Sequence, residues 1–333
     1  MSFTETEKQR KTPKTEEKLP VVWVYKDPNV GDLNASKGIA ERINPNYEIH
    51  DYNDIFPSNQ NHKVSSKPDI IIGIGKPNRH LFDLTNPCRD AFFISHNAYA
   101  GADLCYGALS DNAWTPNFVT IDTPHAVTKE KIETGKREWG ERFDELPEPK
   151  IAVLVGGTCT GFQFTPDMAR EFAKQCVNKA KEFGGSLIVT TSRRTGKEAT
   201  EAFLDEISKE YDVPAYIHLW KPEQKPENNP YYGILGLADA IIVTGDSGSM
   251  CNEVNASCKP VYVYDFGEKL MENYRKYHTT LYDRNVAKPF SKFLEKGIVP
   301  WDYEPLDTAG DIAKEALKRW REMQESVRTH KLG

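Results

Sequence analysis

The sequence predicts an α/β protein built from two Rossmann-like domains. Three observations carry that prediction. The chain has 333 residues, about twice the usual size of a single core. Its second half alternates fully apolar strand-like runs with amphipathic helical ones, the pattern of a parallel sheet covered on both faces. Its first half repeats the pattern less regularly, and the proline-flanked segment Pro147-Glu148-Pro149 separates the two.

Residues 1–19 mix charges with almost no apolar content, so they are expected to be a disordered tail. Val21–Tyr25 reads as a first strand. It runs into the turn-rich segment Lys26–Asp32 and a helix that Asn34 can cap, ending near Ile43. Further strands are expected at Tyr47–Tyr52, Asp69–Gly73, Ala91–Ser95 and Phe118–Ile121. Turns at Gly75-Lys76-Pro77-Asn78 and Ser95-His96-Asn97 follow two of them, and a charged helix spans about Thr128–Phe143. The first domain is therefore placed at residues 20–147.

The second domain, residues 148–308, opens with Ile151–Val155, stopped by Gly156-Gly157-Thr158. Thr165-Pro166-Asp167 is a helix start, with a capping hydroxyl, proline at the first helical position and an acid in the first turn. Met168, Phe172, Cys176, Ala180 and Phe183 recur at helical spacing, and Gly184-Gly185 closes that helix. Strands follow at Ser186–Thr191, Ala215–Leu219, Ala240–Thr244 and Pro260–Tyr264, giving five in all. A last helix covers about Ala309–Arg328.

Composition excludes several classes. A net charge of −6 argues against a general nucleic-acid binder, which needs a basic face. Six scattered cysteines form neither a CxxC pair nor a zinc-ligand spacing, so no metal site and reduced thiols are expected. No apolar leader or 18-residue apolar run is present, and a cytoplasmic location is expected. P-loop, GxGxxG, GxSxG and Asp-x-Asp motifs are all absent.

Right-handed crossovers put every strand-to-helix loop of a parallel sheet on one edge, where ligands bind. In the second domain those loops are Gly156-Gly157-Thr158, Ser192-Arg193-Arg194, Gly245-Asp246-Ser247-Gly248-Ser249-Met250 and Gly267-Glu268-Lys269. Small residues let backbone amides approach an anion, and adjacent arginines offer bidentate donors, so the set suits a diphosphate. Bland readings stand beside these. The glycines also make a tight turn, the arginines a solvated corner, Asp246 a helix cap, and Glu253 an exposed helix charge. In the first domain Asp32 and His96 are candidate bases for an acceptor hydroxyl, or else a helix cap and a structural histidine.

Several stretches occur in a familiar order: Trp23-Val24 through Asn34, Thr120–Thr128, Ile151–Gly157, Asn229-Pro230-Tyr231, and above all GGSLIVTTSRRT and LADAIIVTGDSGSMCNEV. From about Val21 to Phe290 the chain resembles the mitochondrial fission ELM family, a group of GT-B-like glycosyltransferase relatives. The resemblance implies two Rossmann-like domains facing a central cleft, with a C-terminal helix, residues 309–333, returning to the first domain. It implies a nucleotide-sugar donor in the second domain, an acceptor in the first, and neither metal nor other cofactor. Carried onto this sequence, Thr244, Gly245, Asp246, Ser247, Ser249, Met250 and Glu253 match the donor motif, with Glu253 on the ribose hydroxyls. Gly156, Gly157 and Arg193 face the diphosphate. The acceptor is unidentified. Lipid-linked acceptors, common for this fold, would place the protein on a membrane surface. Two further functions follow from the same likeness: a non-enzymatic fission adaptor that recruits a dynamin-related protein, and a nucleotide-sugar epimerase.

Overall fold

The computed structural model describes residues 18–26, 30–51, 67–73, 90–96, 102–108, 116–209, 213–222 and 224–330. Residues 1–17 of the expected tail, the Gly75-Lys76-Pro77-Asn78 turn and Asn97 lie outside them.

Two six-stranded parallel sheets carry the fold, which is the α/β class with two Rossmann-like units that the sequence predicts. The first contains β1 (Val22–Tyr25), β2 (Glu48–His50), β3 (Ile70–Gly73), β4 (Phe92–His96), β5 (Leu104–Ala108) and β6 (Phe118–Thr120), in the order β2-β1-β3-β4-β5-β6. The sequence does not predict β5, because LCYGA has no β-branched residue and ends in Gly107 and Ala108, both depleted in strands. Helix α1 (Val30–Ile43) begins earlier than expected. Asn34 consequently lies inside it rather than capping it, and Asp32 occupies the first turn, where the helix dipole favours an acid.

The second sheet contains β7 (Lys150–Val155), β8 (Ser186–Thr191), β9 (Ala215–His218), β10 (Ala240–Thr244), β11 (Val261–Tyr264) and β12 (Lys288–Pro289). Its order, β12-β11-β10-β7-β8-β9, is that of a doubly wound dinucleotide-type sheet. The sixth strand, only two residues long, is one more than expected. β7, β8 and β10 are buried along their whole length, which explains the apolar runs Ile151–Val155, Leu187–Val189 and Ala240–Val243 within them.

Helix α2 (Lys129–Phe143) is capped by the Thr128 hydroxyl, which accepts the Lys131 N–H. Its buried stripe, Ile132, Trp139 and Phe143, joins the core beneath the second sheet and packs on α5 (Tyr231–Leu237). The helix thus lies with the second sheet, although the proline boundary assigned it to the first. Helix α3 (Pro166–Phe183) has the expected start and stop. Thr165 Oγ1 accepts the Met168 N–H at 3.3 Å, and Gly184 ends the helix at φ 64°. Thr165→Ala removes this cap and is expected to cost about 1 kcal/mol, read as a shift in the urea midpoint with unchanged slope. The second unit is completed by α4 (Lys197–Ser208), α6 (Gly248–Glu253), α7 (Glu272–Asp283) and α8 (Phe290–Lys296).

The chain crosses between the sheets twice. Outbound, residues 121–128 are mostly buried: Thr308 Oγ1 donates to Asp122 Oδ1, and Asn252 Nδ2 donates to the Thr123 carbonyl at 3.1 Å. Returning, α9 (Thr308–His330) lays Ala309, Ile312, Ala313 and Ala316 against Ile39 and Ala40 of α1 in the first core. Ion pairs Arg42–Asp307 at 2.9 Å and Lys131–Glu41 at 2.7 Å brace the two crossings.

Candidate functional site

The second sheet reverses its winding between β7 and β10, so the loops after these two strands open the crevice where doubly wound sheets bind ligands. Here the structure brings together three of the predicted turns. Gly156 N–H donates to Thr244 Oγ1 at 2.7 Å and Gly157 N–H to Asp246 Oδ2 at 2.6 Å, tying the β7 loop to the β10 loop. Thr158 N–H donates to the Arg194 carbonyl at 3.0 Å, and Ser192 Oγ to the Gly156 carbonyl at 2.8 Å, tying both to the β8 loop.

This geometry changes two expectations. The amides of Gly156 and Gly157 are already engaged by Thr244 and Asp246, so they are not open donors for a diphosphate. Asp246 is not a helix cap either. Ser247 occupies the cap position, while the Asp246 side chain is fully buried across the loops. Burial pushes its carboxyl pKa up, against the pull of the Gly157 amide, Thr244 and Arg194. Oδ1 has no hydrogen-bond partner.

Of the two arginines, Arg194 reaches the cluster. Its Nη2 lies 3.6 Å from Asp246 Oδ2 and its Nη1 donates to the Thr158 carbonyl at 3.4 Å, with the side chain 31% exposed. Arg193, the residue implied by the resemblance, is exposed beside it. Ser249 is exposed and Met250 half-buried on α6. Glu253 ends that helix, and its Oε2 accepts the Tyr231 hydroxyl at 2.6 Å. Burial raises the Glu253 carboxyl to about 7, partly offset by this hydrogen bond. Gly267–Lys269 form a separate 3₁₀ turn, pinned by the Gly267 N–H on Asp265.

Three contributors receive no site role from the sequence. Thr195 Oγ1 bonds the Val155 and Gly156 carbonyls and accepts the Ser192 N–H at 2.9 Å, making it the hub of the β8 turn. His278 on α7 donates through Nε2 to the Gly245 carbonyl at 2.8 Å, and burial lowers its pKa, keeping the ring neutral. Tyr231 orients Glu253. The threonine closing SRRT is a local turn signal that could have been read. His278 and Tyr231 lie 33 and 22 residues from their partners, beyond any local pattern.

In the first sheet, the two candidate bases gather around Tyr106 of the unanticipated β5. The His96 ring lies 5.2 Å from the Tyr106 ring, and Asp32 adds to the burial that raises the phenol. Among the described residues no group of three or more His, Cys, Asp or Glu could hold a metal ion.

The model of the mitochondrial fission ELM1 family matches residues 31–320, nearly the whole length. The chain belongs to the mitochondrial fission ELM1 family. Among relatives of this ELM1 member, the mitochondrial fission protein ELM1 of Arabidopsis thaliana is 27% identical over 267 residues, covering 78% of this chain and 60% of the plant protein. An uncharacterized protein of Rickettsia prowazekii is 30% identical over 175 residues, covering 50% of this chain and 46% of its own length. The matched region thus spans about half to three-fifths of these relatives. Solved structures with a similar chain path include a family 9 glycosyl transferase from Veillonella parvula, at 11% identity and TM-score 0.40, covering 92% of this chain and 99% of that one. A UDP-GlcNAc 2-epimerase from Neisseria meningitidis bound to UDP-GlcNAc has 13% identity and TM-score 0.48, covering 91% and 99%.

Among the described residues no helix is long and apolar enough to cross a membrane.

Proposed function

We propose that the crevice between β7 and β10 binds a nucleoside-diphosphate sugar and that the protein transfers the sugar to an acceptor without a metal or other cofactor. The observation that carries this reading is the convergence of the β7, β8 and β10 turns at the sheet's switch point, with Arg194 held at their mouth by Asp246 and Thr158. Arg194, with the exposed Arg193 beside it, supplies the positive charge that a departing diphosphate requires. On this reading Glu253, oriented by Tyr231, accepts the ribose hydroxyls. In the first unit, Asp32 or His96 takes the acceptor proton if the reaction inverts configuration.

Calorimetric titration of the full chain with UDP-, GDP-, CMP- and ADP-sugars tests the reading. One donor is expected to bind a single site. Arg194→Ala is expected to weaken it at least tenfold, since a charge-assisted hydrogen bond contributes about 1.5–3 kcal/mol. Incubating the bound donor alone distinguishes epimerisation, in which the sugar changes configuration with no acceptor. Failure of every donor to bind folded protein removes the enzymatic reading.

One observation favours a second reading. Membership of a family named for mitochondrial fission supports an adaptor that recruits a dynamin-related protein from the cytoplasm to a membrane surface. On this reading Arg194→Ala leaves the recruiting activity intact.

A further inference from the structure

Beside the outer edge of the first sheet lies a groove that the nucleotide reading does not use. One wall is β6, the last strand of its sheet, paired to β5 along one edge and to no other strand among the described residues. The opposite wall is α9, which lines a cavity of about 500 Å³ with Lys314, Lys318 and Arg321. Phe118, Val119 and Ile121 supply an apolar lining, and Val119 is 53% exposed.

The charge in this groove is unbalanced. Glu315 is occupied by Arg319, whose Nε donates to it at 2.7 Å. Among the described residues Lys314 and Lys318 have neither an ion pair nor a hydrogen bond. Asp311, at the end near Thr308, leaves the wall positive overall. The groove is also built before anything enters it. The Arg319 guanidinium donates to Asn117 Oδ1 at 2.9 Å and to the Asn117 carbonyl at 3.0 Å, fixing the helix against the start of β6.

Shape selects the kind of occupant. From Thr308 to Arg321 the helix wall runs about 20 Å at the α-helical rise, the reach of roughly six extended residues. Lys314 and Lys318 are about 6 Å apart along the helix axis, near the roughly 6.8 Å between same-face residues of a strand. A free strand edge offers its N–H and C=O groups to an added strand.

We infer that this groove docks an extended acidic segment of a partner protein by strand addition to β6, its carboxylates meeting Lys314 and Lys318. The inference stands independently of what binds between β7 and β10.

The test is fluorescence anisotropy on the full chain with a labelled octapeptide of alternating Glu and Val. Saturable binding that weakens with salt is expected. It should fall at least tenfold in Lys314→Glu/Lys318→Glu, whose substitutions are exposed and whose circular dichroism should match the parent. Peptides N-methylated on every second residue supply a readout that needs no variant. One phase of methylation should abolish binding and the other leave it, because alternate amides of an edge strand face the ladder. Absence of saturable binding overturns the inference. So does equal binding by both methylated phases, which is charge adhesion alone. Binding of anionic phospholipid vesicles through the same lysines, with none of the peptide, also overturns it.

Discussion

Gly157→Ala is expected to cost about 3 kcal/mol or more and to abolish the donor binding proposed for the crevice. A Cβ at this position would lie 2.0 Å from the Arg194 carbonyl oxygen and 2.1 Å from its carbon. Both are backbone atoms of a turn held by Thr195 and Ser192, so neither can swing aside as a side-chain tip would. Relief requires the β7 and β8 loops to separate, which breaks the Thr158 N–H bond to the Arg194 carbonyl and the Ser192 hydroxyl bond to the Gly156 carbonyl. Gly248→Ala, in the neighbouring loop, is the internal control. Its Cβ would meet nothing within 4 Å, and in a helical position alanine is neutral or stabilising by up to about 1 kcal/mol. Urea denaturation of the two variants against the parent reads the contrast. A Gly157→Ala variant as stable as the Gly248→Ala variant would mean that the turns do not meet.

The second large effect is a dependence on pH centred on the outbound crossing. Burial raises the Asp122 carboxyl to about 7, with the nearby Asp311 pushing the same way and the Thr308 hydroxyl and Arg284 pulling it down. In the unfolded chain the same group loses its proton near 4. Between these values the folded protein holds a proton that the unfolded chain has released, so this group's contribution to stability falls as pH rises through the window. Above about 7, folding leaves a buried carboxylate whose Oδ2 has no partner. Asn keeps the acceptor for Thr308 and carries no charge. The stability difference between Asp122→Asn and the parent is therefore expected to move toward the variant by about 2–3 kcal/mol between pH 5 and pH 8. His125, which burial lowers to about 4, changes stability in the opposite direction but is common to both proteins and cancels in the difference. A difference that stays flat with pH would show that Asp122 titrates as an exposed carboxyl does.

Strands β7, β8, β10 and β11 of the second sheet were legible in the sequence because they are buried and each carries an apolar run. Strand β5 was hidden by its lack of β-branched residues, and β12 by being two residues long. For α2 the spacing of Ile132, Trp139 and Phe143 announces a helix with one apolar face, but nothing in that spacing says which sheet the face covers. Packing against α5, about a hundred residues later, decides it. The loops of the candidate site were legible for the same reason as their strands, since each follows one directly. Their internal wiring was not. Whether a glycine amide is offered to a ligand or engaged by a neighbour depends on Thr244 and Asp246, 88 and 89 residues further on. The choice between Arg193 and Arg194 likewise depends on which way a turn faces, and local sequence leaves that open.

The return of α9 to the first core has a consequence for biogenesis. Residues 129–296 supply the second sheet and the helix α2 that packs beneath it from one continuous stretch, and can bring these together while synthesis proceeds. The first sheet cannot. Its core joins Val22 and Val24 near the start to Ile312, Ala313 and Ala316 near the end. Helix α1 covers part of that face early, but the part packed by α9 stays open until residues 309–316 have been made.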